Sequence, residues 1–251
     1  MKILLLALIA LFTQVNLSAQ TKLKGIVILI DFEDNPAKID IGRYNKLING
    51  EGYTEDIATA SLYDYWKNQS RGSVLLKHDL FGYYRAPKKA AWYSDKKNQT
   101  WKDYIDLARS ALDWIVQQNP DYDWDSLNLS QEDNDKGTFL SINLVTTECI
   151  LGAGATHQLL GWAAPNGVES KQITASTFAD PWDKHDINLY TITHEIGHAV
   201  FSFPDTYDYK AKSRGTGDYS LMSANQLNGD IEHVGAPFLG KARMGEGFGC
   251  F

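Results

Sequence analysis

The chain carries His194-Glu195-Ile196-Gly197-His198, an HExxH pattern, inside a segment whose apolar residues recur at helical spacing. Side chains four positions apart lie on one face of a helix, so both imidazoles can reach a single metal ion. Glu195 stands beside them and can accept a proton from a zinc-bound water, whose pKa the metal lowers toward ~7. The pattern therefore predicts a zinc centre with ligands His194 and His198 and with Glu195 as general base.

The segment around the motif is typical of a half-buried helix. Asp186 is a candidate N-cap, and Pro204 disfavours helical geometry at Phe203. We therefore expect the helix to end by about Ser202, within a turn of His198. The apolar positions follow the three-four spacing of one helical face: Ile187, Tyr190, Ile192, Ile196, Ala199 and Val200.

A third ligand is needed, because a catalytic zinc site takes three protein ligands and leaves the fourth position to water. Asp205 and Asp208 are the nearest candidates beyond the helix, where the chain has turned back. A glutamate from a second helix would be another source of the third ligand, but no clear helical period surrounds Glu232 or Glu246. From the residues alone, the choice between Asp205 and Asp208 stays open.

The zinc segment continues into a PDxYD stretch and is followed by Asp218-Tyr219-Ser220-Leu221-Met222-Ser223. Together these motifs resemble the immune inhibitor A-type secreted metalloproteases, a branch of the metzincin-like zinc peptidases. Their typical pattern is HExxHxxGxPDxYD followed by a D-L-M-S segment. The resemblance implies catalytic Glu195, Met222 in the methionine turn beneath the metal, and three zinc ligands: His194, His198 and Asp205.

The chain departs from the family pattern at one place. Phe201 stands where the family has the glycine that turns the chain, and phenylalanine tolerates a positive φ poorly. One additional residue precedes Pro204-Asp205. We therefore expect Ser202 and Phe203 to form the turn.

Hydrophobic periodicity predicts a mixture of strands and helices. Residues 25–32 form a nearly continuous apolar run, as in a central strand buried on both faces. Leu140, Ile142 and Leu144 alternate as on a strand, and residues 173–178 are a further candidate strand. Residues 59–69 and 104–117 have helical spacing. The prediction is an α+β fold. The resemblance makes it a zincin or metzincin-like catalytic domain, with a twisted mixed sheet, backing helices, an HExxH helix and an irregular C-terminal part.

The first twenty residues predict a secretory signal peptide. Lys2 precedes an apolar run over residues 3–12, and Leu17-Ser18-Ala19 provides a small-residue cleavage site. We therefore expect residues 1–20 to be removed, and residues 21–251 to form one catalytic domain that is secreted without a membrane span. Family members commonly continue further, so the resemblance also implies a domain that is truncated at its C-terminus.

The overall charge argues against a nucleic-acid partner. The net charge is −7 and the pI is about 5.3, whereas phosphate binding depends on clustered Lys and Arg. Cys149 and Cys250 are able to pair in an exported protein, but two distant cysteines leave that open. The glycine-rich stretch at 152–155 is predicted to be a connecting turn or a rim of the cleft.

Two oxygen-rich clusters are candidate Ca²⁺ sites, although neither completes an EF-hand pattern and solvated acidic loops are the commoner explanation. They comprise Asp31, Glu33 and Asp34, and Asp133, Asn134 and Asp135.

The resulting hypothesis is a secreted zinc endopeptidase that hydrolyses peptide bonds in proteins by zinc-activated water, with Glu195 as general base. An alternative is a protease-derived, zinc-containing binding or adhesion module without activity, because Phe201 and the short C-terminus would disturb the cleft.

Overall fold

The structure is a computed structural model that describes residues 20–55, 60–95, 100–127, 138–139, 141–148, 150, 154–156, 162–165, 169–170, 173–177, 189–207 and 220–223. Within these ranges the fold is α+β, as predicted. The helices are α1 (Ile41–Asn49), α2 (Leu62–Gln69), α3 (Ala90–Tyr93), α4 (Trp101–Gln118) and α5 (Leu189–Phe201). Among the described helices, none is both long enough and apolar enough to cross a lipid bilayer.

The main sheet has five strands in the order β2-β1-β4-β7-β5. The first four run parallel, and β5 pairs antiparallel with β7 at one edge. Two short strands, β3 (Thr138–Phe139) and β6 (Glu169–Ser170), form a separate parallel pair. The five strands of the main sheet are β1 (Thr21–Asp31), β2 (Val74–Arg85), β4 (Ile142–Thr146), β5 (Gly154–Thr156) and β7 (Ile173–Thr177).

Strand β1 lies between two parallel neighbours and is buried on both faces, as its apolar run predicts. Ile26 and Ile28 face one core cluster, which includes the apolar side of α4. Val27 and Leu29 face a second cluster, which includes residues of α1, α2 and α5 together with Met222. Helices therefore cover both faces of the sheet, and α5 belongs to the second layer.

Two predicted helices begin at other residues than expected, because capping side chains set their starts. Ser61 accepts a hydrogen bond from the Asp64 amide at 3.1 Å, so α2 begins at Leu62 rather than near residue 59. Thr100 accepts from the Asp103 amide at 3.2 Å, so α4 begins at Trp101 rather than at 104.

The prediction of a connecting turn at residues 152–155 is wrong for Gly154 and Ala155, because Gly154–Thr156 forms the edge strand β5 of the described sheet. Strand β7 matches the predicted strand at 173–178 to within one residue. Residues 1–19, including the body of the predicted signal peptide, lie outside the described residues, and so do Cys149 and Cys250. The signal peptide and the extent of the catalytic domain stay predictions.

Candidate metal centre

Helix α5 carries the HExxH motif and is buried from Thr191 to Ala199. It ends at Phe201, as expected from Pro204, and the next residue, Ser202, has a φ of 54°. The Ser202 amide donates to the His198 carbonyl at 3.0 Å, which is the bond of an αL helix end. Ser202 therefore makes the sharp turn, and Phe201 remains helical. The predicted N-cap Asp186 lies outside the described residues.

The turn brings Asp205 back to the two histidines. The Nε2 atoms of His194 and His198 lie 3.0 Å apart. The Asp205 Oδ1 atom lies 3.1 Å from the first and 3.2 Å from the second. All three side chains are nearly inaccessible to solvent. Asp208, the other candidate ligand, lies outside the described residues.

Each histidine has its second ring nitrogen at a backbone carbonyl. His194 Nδ1 lies 2.8 Å from the Leu221 oxygen, and His198 Nδ1 lies 2.6 Å from the Phe203 oxygen. A carbonyl can only accept, so we assign the proton of each neutral imidazole to Nδ1. Both Nε2 atoms therefore present lone pairs toward the same point, and outer partners of this kind orient histidine ligands in metal sites.

The three converging atoms fit a small metal cation. Two imidazole lone pairs and a carboxylate oxygen at 3.0–3.2 Å repel one another unless positive charge lies between them. Ligands of tetrahedral zinc, at about 2.0–2.1 Å from the ion, stand roughly 3.3 Å apart. The ligand atoms of His194, Glu195 and His198 also lie within 4.8 Å of one another, so this buried group could hold a metal ion.

The pKa of the His194 imidazole is raised by its acidic neighbours. Burial lowers this pKa, but the hydrogen bond to Asp205 and the charge of Glu195 raise it by more. The net effect is a raised pKa, because the neighbouring carboxylates stabilise positive charge on the ring.

Glu195 is buried next to the cluster, with 2% of its surface exposed. Burial raises the pKa of its carboxyl group to about 6, against the opposing influence of His194 and His198. A carboxyl group with a pKa near 6 is ionised at neutral pH and can still hold a proton transiently. This property suits a group that must both accept and return a proton.

Met222 lies in the turn formed by residues 220–223, where the Ser223 amide donates to the Ser220 carbonyl at 3.1 Å. The Met222 carbonyl accepts from the Thr206 amide at 2.7 Å, next to Asp205. Through Leu221 the same turn also accepts from His194. The turn thus contacts both the helix and the loop that carry the candidate ligands.

Two aromatic residues make contacts near the centre that the sequence did not predict. The Tyr190 hydroxyl contacts the turn at 220–223, and the Trp66 ring lies 4.4 Å from the ring of Phe201. Tyr190 had a detectable signal, since it precedes His194 by one helical turn on the same face. The contact of Trp66 had no such signal, because it joins α2 to the end of α5, two segments that are far apart in the sequence.

The first candidate Ca²⁺ cluster uses its carboxylates for other contacts. Asp31 pairs with the Arg85 guanidinium at 2.6 and 2.7 Å, and Asp34 accepts from the amides of Ala90 and Ala91 at the start of α3. Burial alone would raise the pKa of Asp31, but Arg85 and the Ala37 amide lower it overall. These contacts favour a structural role. The second cluster, at residues 133–135, lies outside the described residues.

No protein-family model matches the chain, and a search of curated proteins finds no match either.

Proposed function

We propose that the protein is a secreted zinc-dependent endopeptidase with a metzincin-like catalytic domain. His194, His198 and Asp205 hold the zinc ion, and Glu195 is the general base. The observation that carries the proposal is the convergence of three buried acceptor atoms within 3.0–3.2 Å of one another, with a buried carboxylate beside them.

The donor set favours zinc in a catalytic site. Two imidazoles and one carboxylate together form a three-ligand set that is typical of catalytic zinc. Structural zinc sites instead fill all four positions, mostly with cysteine and histidine. When bound, zinc acts as a Lewis acid that polarises a carbonyl group and lowers the pKa of a water molecule. A purely structural site would have no use for the buried Glu195.

Glu195 moves the proton in the proposed reaction. Its carboxylate accepts a proton from the water that attacks the peptide carbonyl, and it then donates this proton to the departing amine nitrogen. Burial raises the pKa of the Glu195 carboxyl group, so this carboxylate is a stronger base than an exposed glutamate.

The edge strand β5 favours an extended peptide as substrate. In the described sheet, β5 pairs with β7 along one side, and its residues Gly154, Ala155 and Thr156 are small. An extended peptide can add to such an edge through main-chain hydrogen bonds. Because β5 also contacts α5, a peptide on this edge would run close to the candidate metal centre.

The alternative function, a binding or adhesion module without activity, depends partly on Phe201 disturbing the site. Ser202 takes the positive φ in place of Phe201, and the three candidate ligands still converge. This arrangement favours a peptidase over the binding module.

The test is cleavage of casein by the purified, exported chain before and after removal of its metal. We expect a metal chelator to abolish cleavage and about one equivalent of zinc to restore it, with new amino termini as products. His194→Ala is the matched control and should not be restored by zinc. Cleavage that withstands chelation would contradict a metal mechanism. Stoichiometric zinc without cleavage of any protein would favour the binding module.

A further inference from the structure

We infer that Tyr190 is a positioning residue, which fixes the ligand His194 through the carbonyl group of Leu221. The inference rests on the proposed metal centre and adds to that centre a residue outside the HExxH motif and outside the loop that carries Asp205. It follows from the hydrogen bonds between α5 and the turn at residues 220–223.

The Tyr190 hydroxyl oxygen lies 2.9 Å from the Leu221 carbonyl oxygen and 2.5 Å from the Ser223 carbonyl oxygen. Both partners can only accept, so the single hydroxyl proton is shared between them. Tyr190 precedes His194 by one helical turn on the same face of α5, and the two rings lie 6.1 Å apart. The hydroxyl therefore ties the turn to the same helical face that presents His194.

The Leu221 carbonyl also lies 2.8 Å from His194 Nδ1. One acceptor thus receives two donors that stand a turn apart on α5. The position of this carbonyl determines where the Nδ1 proton points, and hence where the Nε2 lone pair points on the opposite side of the ring. A displacement of Leu221 would rotate the imidazole away from Asp205 and His198.

The two histidines differ in how their acceptors are held. The acceptor of His198 is Phe203, only five residues onward, and its amide is itself bonded to the Gly197 carbonyl at the end of α5. The acceptor of His194 lies 27 residues onward in the chain, so the helix end does not fix it. Tyr190 supplies a bond between α5 and this distant acceptor, which is why the role falls to this residue.

The test compares zinc binding by wild type, Tyr190→Phe and Tyr65→Phe. Tyr190→Phe keeps the ring and removes only the hydroxyl group. Tyr65→Phe removes a hydroxyl from the same buried neighbourhood, where burial and the proximity of Tyr190 raise the pKa of Tyr65. The Tyr65 hydroxyl makes no hydrogen bond to the described residues of the turn, so Tyr65→Phe controls for the loss of a buried oxygen.

Zinc dissociation constants would be measured by competition with a chromophoric chelator, and the absorption spectrum of the Co²⁺-substituted protein would report ligand geometry. We expect Tyr190→Phe to bind zinc up to about 10-fold more weakly, at the low end of the cost of losing a direct outer partner, because the Leu221 carbonyl itself remains. Its Co²⁺ spectrum should change, while its far-ultraviolet circular dichroism and the zinc affinity of Tyr65→Phe should stay as in wild type.

Three results would overturn the inference in distinguishable ways. Equal zinc affinity and equal Co²⁺ spectra of wild type and Tyr190→Phe would remove the role of Tyr190 and leave the zinc centre intact. An equal loss in Tyr65→Phe would reduce the effect to general packing. A wild-type chain that binds no metal would overturn the proposed function and, with it, this inference.

Discussion

Met222 packs against Gly197 so closely that a β-carbon on Gly197 would lie 2.8 Å from the Met222 sulfur. The contact joins the HExxH helix to the turn at residues 220–223, in the middle of the motif. A glycine inside a helix usually costs about 1 kcal/mol of stability relative to alanine. Here the glycine makes room for a methionine side chain, and this packing sets the distance between the helix and the turn.

Gly197→Ala should therefore have opposite effects in two backgrounds. In the wild-type chain we expect Gly197→Ala to lower the free energy of unfolding by roughly 1–3 kcal/mol, because the added methyl group displaces Met222. In a Met222→Ala background the same change should stabilise by up to about 1 kcal/mol, through helix propensity alone. Urea unfolding of the four metal-free proteins measures the cycle. The same sign in both backgrounds would mean that the sulfur does not restrict position 197.

A second prediction concerns the departure from the family pattern at Phe201. The Phe201 ring lies 4.4 Å from Trp66 and 5.6 Å from Phe203, and its backbone is helical. Phe201→Gly, which introduces the glycine of the resembled metalloprotease pattern, should destabilise by about 2–3 kcal/mol through lost packing and helix propensity.

The matched control is Ser202→Gly. Because Ser202 has a φ of 54°, glycine at this position should be neutral or slightly stabilising. Thermal unfolding of both variants decides the matter. A stable Phe201→Gly together with an unstable Ser202→Gly would place the turn at residue 201 instead.

A third prediction separates the two candidate aspartates. Asp205→Ala should weaken zinc binding by more than the roughly 100-fold that loss of an outer partner costs, because a direct ligand is removed. Asp208→Ala should leave the affinity within a fewfold of wild type. Zinc titration of both variants measures this. A larger loss in Asp208→Ala would make Asp208 the third ligand.

The sequence predicted those parts of the centre that depend on local chemistry. The HExxH spacing places His194, Glu195 and His198 on one helix, and Pro204 limits where that helix ends. The shift of the turn to Ser202 also followed from residue types, since serine accepts a positive φ more readily than phenylalanine.

Contacts between distant segments could not be predicted in the same way. The bond from His194 to Leu221 spans 27 residues, and the packing of Trp66 on Phe201 joins α2 to α5. The glycines and alanines of residues 152–155 carry no strand pattern and predict a turn or rim, whereas pairing with β7 makes Gly154 and Ala155 part of β5. Such features depend on the assembled sheet and helices, which no local pattern specifies.

A fourth prediction concerns the stability of the fold at acid pH. His78 on β2 is 3% exposed, and neither ring nitrogen has a hydrogen-bond partner among the described residues. Burial lowers the pKa of His78 to about 3, although the charge of Asp79 acts in the opposite direction. In the unfolded chain the pKa of a histidine is about 6.5.

Between these two values the unfolded chain binds a proton that the folded chain does not bind. The contribution of neutral His78 to the free energy of unfolding is therefore fully present above about pH 6.5. Below that pH it falls by at most about 1.4 kcal/mol per pH unit. In urea unfolding at pH 7, 6 and 5, the free energy of unfolding should decline less steeply with falling pH for His78→Gln than for wild type. The same decline in both proteins would show that His78 is not buried in its neutral form.

The most direct test of the zinc peptidase is a joint measurement of zinc content and casein cleavage for wild type and Glu195→Gln. The substitution preserves the shape of the side chain and removes its ability to accept a proton. We predict about one zinc per chain in both proteins, with cleavage by the variant reduced by roughly 10²–10⁴-fold or more. Cleavage by Glu195→Gln at the wild-type rate, or no zinc in either protein, would contradict the account.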